Sequence, residues 1–156
     1  MIDKYFQWLY EIEAVDAFAL VDNMNHIVDG WTNSKYDSTI FTEIADSYLQ
    51  IFGINGKSGF DIGEIVLSFE RGLIFVRNYS RFLLLVIASP HADVSYLRLA
   101  VNVSIAELEE SKKIQKIFKK LPPEKPFEFE DSHLDDNERS MINRIMENRD
   151  AIGRTD

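Results

Sequence analysis

Residues 64–88 read EIVLSFERGLIFVRNYSRFLLLVIA, and this stretch decides the fold. Apolar and more polar residues alternate over 64–70, which is the period of a strand with one buried face. Arg71-Gly72 predicts a tight reversal into a second strand, and another turn leads into the apolar run 82–88. The stretch therefore predicts a three-stranded meander, with its first strand at a sheet edge and its last strand buried.

Two further strands are predicted upstream of the meander. Residues 17–22 are apolar on both faces, and the turn cluster Asn23-Met24-Asn25 separates them from residues 26–33. The two segments are typical of a hairpin, with the first strand central in the sheet and the second nearer an edge.

Helical spacing of apolar residues predicts the remaining elements of the domain. Steps of three and four residues indicate a first helix over residues 2–12, a second over 36–52 and a third over 94–120. Ser34 begins a pattern typical of a capping box, and three glycines between positions 53 and 59 are expected to end the second helix. The order αββαβββα predicts an α+β fold with a five-stranded antiparallel sheet between helices.

The C-terminal part of the chain differs in composition from the rest. Three prolines within positions 122–126 break the third helix, and an acidic stretch follows. A further amphipathic helix is predicted there, and its apolar stripe consists of Met141, Ile142, Ile145 and Met146. We therefore expect a domain over residues 1–121, a proline-rich acidic linker over 122–131 and a C-terminal extension over 132–156.

Charge and composition exclude several classes of protein. A formal net charge of −9 argues against nucleic acid as a partner, because phosphate backbones are bound largely by Lys and Arg. The chain has no cysteine, which excludes disulfides and thiolate metal sites and favours a reducing compartment. The first residues lack the pattern of a signal peptide, and the longest apolar run is too short to span a bilayer. We expect a cytoplasmic protein without membrane insertion.

No arrangement of residues indicates catalysis. The glycines after the second helix lack the Lys-Ser/Thr of a phosphate-binding loop, and His26, His91 and His133 occupy three separate turns or tails. Asp22 and Asp29 could form a carboxylate pair for acid/base chemistry, but Asp22 is more typical of a residue that organises a turn. The sequence thus predicts a protein that is not an enzyme, with no catalytic residues, no metal site and no cofactor.

Four segments resemble the Roadblock/dynein light chain family. They are AFALVD at 17–22, EIVLSFERGLIFVR at 64–77, FLLLV at 82–86 and YLRL at 96–99, where the last helix opens. The resemblance covers residues 16–121 and implies a profilin-like Roadblock fold. It departs from the family at Asn25, because the first hairpin of the family usually has a glycine there. It extends to bacterial MglB-type regulators of polarity GTPases, which also carry a C-terminal partner-binding helix.

The resemblance implies two interaction surfaces. Two copies are expected to pair through the strand at 64–70 and the second helix, with an interface formed by Ile40, Ile44, Tyr48, Glu64, Val66, Ser68 and Glu70. A small Ras-like GTPase is expected on the face bearing the second helices, with contacts at Lys35, Glu43, Asp46 and Gln50. The stripe of the C-terminal helix, Met141, Ile142, Ile145 and Met146, then supplies a tethered second contact.

The function that these expectations describe is a non-enzymatic homodimeric platform. It would bind a small Ras-like GTPase and act as its activator or co-regulator in cell polarity or motility. One alternative is a structural scaffold or adaptor that does not regulate a GTPase. Another is a small-molecule sensor of the PAS or GAF kind, which is disfavoured because Phe18, Phe69, Phe75 and Phe82 are expected to fill the core.

Overall fold

The computed structural model of the chain describes residues 2–33, 35–58, 62–124 and 136–153. Its centre is one five-stranded antiparallel sheet, as predicted. The strands are β1 (Val15–Asp22), β2 (Ile27–Thr32), β3 (Glu64–Phe69), β4 (Gly72–Asn78) and β5 (Phe82–Ala88). Their spatial order is β2-β1-β5-β4-β3, so the predicted meander and the predicted edge position of its first strand are both confirmed.

Helices cover both faces of this sheet, which makes the fold α+β. They are α1 (Gln7–Tyr10), preceded by a 3₁₀ turn over Asp3–Phe6, then α2 (Thr39–Ser58), α3 (Val94–Glu110), α4 (Lys112–Lys119) and α5 (Asp136–Gly153). Helix α2 packs on one face, whereas α1, α3 and α4 pack on the other. The predicted first helix over residues 2–12 is therefore shorter than expected, because it begins as a 3₁₀ turn.

The two inner strands supply a core to each face. Every residue of β1 and β5 is buried. Because successive side chains of a strand point to opposite faces, Phe18 and Leu20 pack on the side of α1 and α3 while Ala19 and Val21 pack on the side of α2. Burying a side chain such as Phe75, which is fully enclosed, stabilises the fold by about 1.5–3 kcal/mol.

Helix α2 differs from the prediction at both ends. It begins at Thr39, whose backbone N–H donates to the Asp37 carboxylate at 3.0 Å, while Ser34 lies outside the described residues. It then continues through Gly53 and Gly56 to Ser58. The helix therefore runs past its predicted end at residue 52, although it still ends within the glycine-containing stretch 53–59. A glycine lowers helix stability by about 1 kcal/mol without blocking the hydrogen bonds, and packing of the apolar face offsets that cost.

The predicted single helix over residues 94–120 is two helices. Ser111 interrupts it with an extended backbone, φ −82° and ψ 109°. Its hydroxyl accepts the Ile114 backbone N–H at 3.5 Å and so caps the start of α4. The bend directs Ile114 into the core, where it is 1% exposed.

Beyond α4, Leu121 still packs against the core. Residues 125–135, which contain most of the predicted linker, lie outside the described residues. Helix α5 follows and lies next to α2. Among the described residues, no helix combines the length and the apolar character needed to cross a bilayer.

Candidate partner-binding surfaces

Strand β3 presents unpaired peptide groups at the edge of the sheet. The N–H of Asn78, at the end of β4, donates to the carbonyl oxygen of Gly63, directly before β3, at 2.8 Å. Gly63 and Asn78 are therefore a hydrogen-bonded pair of the β3–β4 ladder. Hydrogen-bonded and non-hydrogen-bonded pairs alternate along an antiparallel ladder. The peptide groups of Ile65 and Leu67 therefore point to β4. Those of the residues between them, Glu64, Val66 and Ser68, point outward.

The side chains of β3 leave an apolar surface uncovered next to these peptide groups. Ile65 packs into the core under α2, and Leu67 and Phe69 lie on the same face because they are two and four residues further along. Leu67 is 42% exposed and Phe69 is 53% exposed. The expectation that Phe69 fills the core is wrong, although Phe18, Phe75 and Phe82 are buried as expected.

The width of α2 explains why Leu67 and Phe69 of β3 stay exposed. A helix is about 10 Å wide and strands are about 4.8 Å apart, so one helix covers roughly two strands. Helix α2 packs on β1 and β5, two positions away from the edge strand. The sequence pattern identifies the apolar face of β3 but not this shortfall in cover, which is why it predicts that Phe69 fills the core.

One flank of α2 continues the apolar surface toward β3. Ile40, Ile44 and Ile51 lie on this flank, and Ile51 is 38% exposed. The opposite flank faces the β1–β2 turn, because the Asn25 side chain donates to the Thr42 carbonyl oxygen at 3.0 Å. We define the edge patch as Ile44, Ile51, Ile65, Leu67 and Phe69.

The residues predicted for a dimer interface do not all lie on one surface. Ile40 and Ile44 are half-buried on the flank beside the edge patch. Val66 packs toward the α3 core, Ser68 is exposed, and Glu70 lies in the turn after β3. Tyr48 is 4% exposed, and its hydroxyl has no hydrogen-bond partner among the described residues. Burial raises the pKa of Tyr48 accordingly.

Glu64 joins the edge strand to helix α3. Its Oε2 lies 2.5 Å from Arg77 Nη2, and its Oε1 lies 2.6 Å from Arg98 Nη2. Arg77 also donates to the Asn102 side chain. Hydrogen bonds from Arg98 and Arg77 hold the pKa of Glu64 below its ordinary value, against the effect of burial. The carboxylate is therefore a structural clamp between β3, β4 and α3.

The outer face of α2 carries the predicted partner contacts. Glu43, Asp46 and Gln50 are all exposed, and they follow one stripe of the helix at steps of three and four. Gln50 donates to the Asp46 carboxylate at 3.3 Å. Lys35 lies apart from this stripe and pairs with Asp16 at 3.3 Å. The structure thus brings three of the four positions together on a polar, acidic surface.

The C-terminal stripe is mostly exposed even though α5 lies next to α2. Met141 is 63% exposed and Ile145 is 37% exposed, while Ile142 is half-buried. The side chain of Met146 lies outside the described residues. The helix therefore leaves apolar surface available to a partner.

The two carboxylates considered for acid/base chemistry hold backbone groups instead. Asp22 Oδ1 accepts the N–H groups of Met24 and His26 at 2.8 and 2.9 Å, as expected of a turn residue. Asp29 Oδ2 accepts the Ile2 N–H at 2.8 Å. Within residues 2–33, 35–58, 62–124 and 136–153, no group of three or more His, Cys, Asp or Glu side chains could hold a metal ion.

Known proteins share this architecture at low sequence identity. No protein-family model matches the chain, and no curated protein matches it. MglB of Myxococcus xanthus matches with a TM-score of 0.62 and 18% identity, over 77% of this chain and 96% of that one. A Roadblock/LC7 domain from Streptomyces avermitilis matches with a TM-score of 0.54 and 17% identity, over 67% and 90%.

The gliding protein MglB from Thermus thermophilus is a third solved structure of this kind. It matches with a TM-score of 0.57 and 13% identity, over 76% of this chain and 88% of that one. Each of the three matches spans most of the solved structure, so the likeness concerns the whole domain and not one motif. The chain therefore has the Roadblock fold, in the form found in MglB.

Proposed function

We propose that this chain forms a homodimer through the edge of β3. The observation that carries the proposal is that β3 combines outward peptide groups with the exposed apolar side chains of Leu67 and Phe69. A two-fold axis normal to the sheet would join the outward groups of two β3 strands and extend the sheet across both copies. It would also bring the two edge patches together on one face.

Burial of the edge patch supports such pairing energetically. Full burial of a Leu or Phe side chain is worth about 1.5–3 kcal/mol, and Leu67 and Phe69 are about half exposed. Each therefore has roughly 1 kcal/mol still to contribute, and a dimer contains two of each. The half-buried flank residues Ile40 and Ile44 would add to this contact between copies.

We further propose that the dimer is a platform for a small Ras-like GTPase. A two-fold axis normal to the sheet places both α2 helices on the same side, so the stripes of Glu43, Asp46 and Gln50 form one extended surface. Lys35 lies outside the stripe and would contribute at its margin. The Roadblock resemblance, and the likeness to MglB in fold, support a GTPase as the occupant of this surface.

In the regulation that we propose, this chain supplies no catalytic residue to the GTPase. Arg77, the most buried arginine near the edge, is already engaged by Glu64 and Asn102, which argues against its insertion into a partner's active site. The platform would instead act by rearranging the switch elements of the GTPase, in the cytoplasm and in a polarity or motility system. The exposed stripe of α5 would add a tethered second contact.

Size-exclusion chromatography with light scattering tests the proposal. The full chain is measured alone and with Ras-like GTPases from the same genome, loaded with GDP or with a GTP analogue. We expect a dimer that shifts only with the GTP form. A shift independent of nucleotide would favour a scaffold or adaptor, and a monomer that binds no GTPase would contradict the proposal.

A further inference from the structure

Helix α4 carries a concentrated positive charge in an otherwise acidic chain. Its solvent side consists of five exposed lysines at Lys112, Lys113, Lys116, Lys119 and Lys120, the last directly after the helix. At 100° per residue these positions fall within an arc of about 120°. Ile114, Ile117 and Phe118 lie on the opposite side and pack on the core. The apolar side of α4 is thus already occupied.

Among the described residues, no carboxylate pairs with these lysines. Glu109 and Glu110 are exposed at the end of α3, before the bend at Ser111, and no acidic residue occurs from 112 to 120. The chain as a whole carries a formal net charge of −9, so α4 differs in sign from the rest.

The N-terminal helix extends the same surface with an exposed indole. The pKa of Tyr5 is lowered, chiefly by the Ser111 side chain and to a smaller extent by the charge of Lys113, so the Tyr5 hydroxyl lies near the start of α4. Lys4 Nζ is 4.8 Å from the centre of the Tyr5 ring. Trp8, one turn later, is 47% exposed and donates to Glu107 at 3.4 Å. We define the basic face as Lys4, Trp8 and the five lysines at residues 112–120.

We propose that the basic face binds the surface of a bilayer that contains anionic lipid. Lysine is a mobile point charge, which suits a diffuse layer of headgroups better than a fixed bidentate site. Tryptophan is enriched at membrane–water interfaces, where its ring sits at the level of the headgroups, and Trp8 is exposed. Because the apolar side of α4 is held by the core, the helix would lie on the headgroups without insertion.

The position of the basic face fits the platform proposed above. The sheet separates α4 and the N-terminal helix from α2, so the basic face and the outer face of α2 point in opposite directions. Charges on the far side of the domain are screened beyond about 8–10 Å at physiological salt, so they do not oppose the contact. One consequence rests on the proposed homodimer: two basic faces would point the same way and bind bivalently.

Co-sedimentation of the full chain with vesicles tests this inference. The probes are phosphatidylcholine vesicles with and without phosphatidylserine, at low and high salt. We expect pelleting with the anionic vesicles only, reversed by salt. The double variant Lys116→Gln with Lys119→Gln should lower the partition coefficient by at least about tenfold. The matched control Arg71→Gln with Arg144→Gln removes the same charge elsewhere and should leave binding unchanged.

Trp8 supplies a second readout that does not depend on those variants. In a Trp31→Phe background, its fluorescence should shift to shorter wavelength with anionic vesicles. If that background does not fold, quenching of the wild-type protein by brominated lipid, with Trp8→Phe as the control, reports the same contact.

Several outcomes would overturn the inference. They are equal binding to neutral vesicles, no vesicle binding, an equal effect of the two double variants, and binding of duplex DNA in place of vesicles. A chain that is dimeric by light scattering but does not bind vesicles would refute membrane binding by the basic face and leave the proposed dimer intact. Vesicle binding by a strictly monomeric chain would refute the dimer alone.

Discussion

Arg98 in helix α3 donates to the carboxylate of Glu64 in the edge strand β3, with Nη2 2.6 Å from Oε1. Arg77 approaches the other carboxylate oxygen from β4, so one side chain connects three elements. The pKa of Glu64 is lowered chiefly by the hydrogen bonds from Arg98. Strand β3 is therefore held to β4 and α3 through Glu64, while the outward peptide groups of the strand remain free of these contacts.

Glu64→Gln should destabilise the fold by about 1–2 kcal/mol, after allowance for solvent screening at the half-exposed Arg98. Because the folded pKa is depressed, the ionised carboxylate contributes fully above its unfolded value near 4.5 and less as pH falls through the folded value. Urea unfolding from neutral to acidic pH measures this. The difference in the free energy of unfolding between wild type and variant should become smaller at acidic pH. A larger difference at acidic pH would contradict the stabilising role of the ionised Glu64 carboxylate.

Ser68→Pro should convert the proposed dimer into a folded monomer. The Ser68 N–H points away from β4, so proline removes an outward donor without breaking the internal ladder. Light scattering measures the mass, and circular dichroism checks the fold. Ser68→Ala, which keeps the N–H, is the matched control and should remain dimeric. A dimeric Ser68→Pro protein would exclude pairing through β3.

Phe69→Asp should also weaken the dimer, by at least about tenfold in dissociation constant. The substitution places a charge in the edge patch, where burial against a second copy would desolvate it. Leu99→Asp is the control, because Leu99 is similarly exposed, at 56%, on helix α3. Sedimentation equilibrium compares the two variants, and equal effects would show that the edge patch has no special role.

Tyr48→Phe should leave the free energy of unfolding unchanged or raise it by up to about 1 kcal/mol. The Tyr48 hydroxyl is buried without a partner among the described residues, and removing such a group relieves its desolvation. Thermal and urea unfolding measure the effect. A clear loss of stability that depends on protein concentration would indicate a hydrogen bond made across the dimer instead.

Removal of everything after Pro126 should leave a folded dimer with weaker regulation of its partner. The core ends near Leu121, and the stripe of α5 is largely exposed, so the domain loses little packing. Light scattering and GTP hydrolysis by the partner GTPase are the measurements. Full affinity and full regulation in the truncated protein would exclude a role for the C-terminal helix.

Much of the fold could be predicted from local periodicity. The alternation over 64–70 and the apolar run 82–88 each identify a strand, and the sequence also identifies Asp22 as a turn residue. Helix ends were harder, because tertiary packing carried α2 through Gly53 and a single cap at Ser111 divided the last helix. Local propensity does not contain either effect.

The candidate site was predictable in outline and not in its side chains. Periodicity separates the two faces of β3 but does not show how far a neighbouring helix reaches across the sheet. That distance decides whether Phe69 is core or surface. The exposed arc of lysines on α4 could not be predicted from the sequence, since only the packing of Ile114 shows which side of the helix is left to solvent.

The outward peptide groups of β3 are chemically the same as those at the edge of any other sheet. Such an edge offers the same hydrogen bonds to any extended strand, so it contributes affinity but no selectivity between partners. In the proposed dimer, recognition of one particular partner chain would depend on the side chains at alternate positions, above all Leu67 and Phe69. Paralogous chains in the same cell could be kept apart, or made to mix, by changes at those two positions while the ladder itself stays as it is.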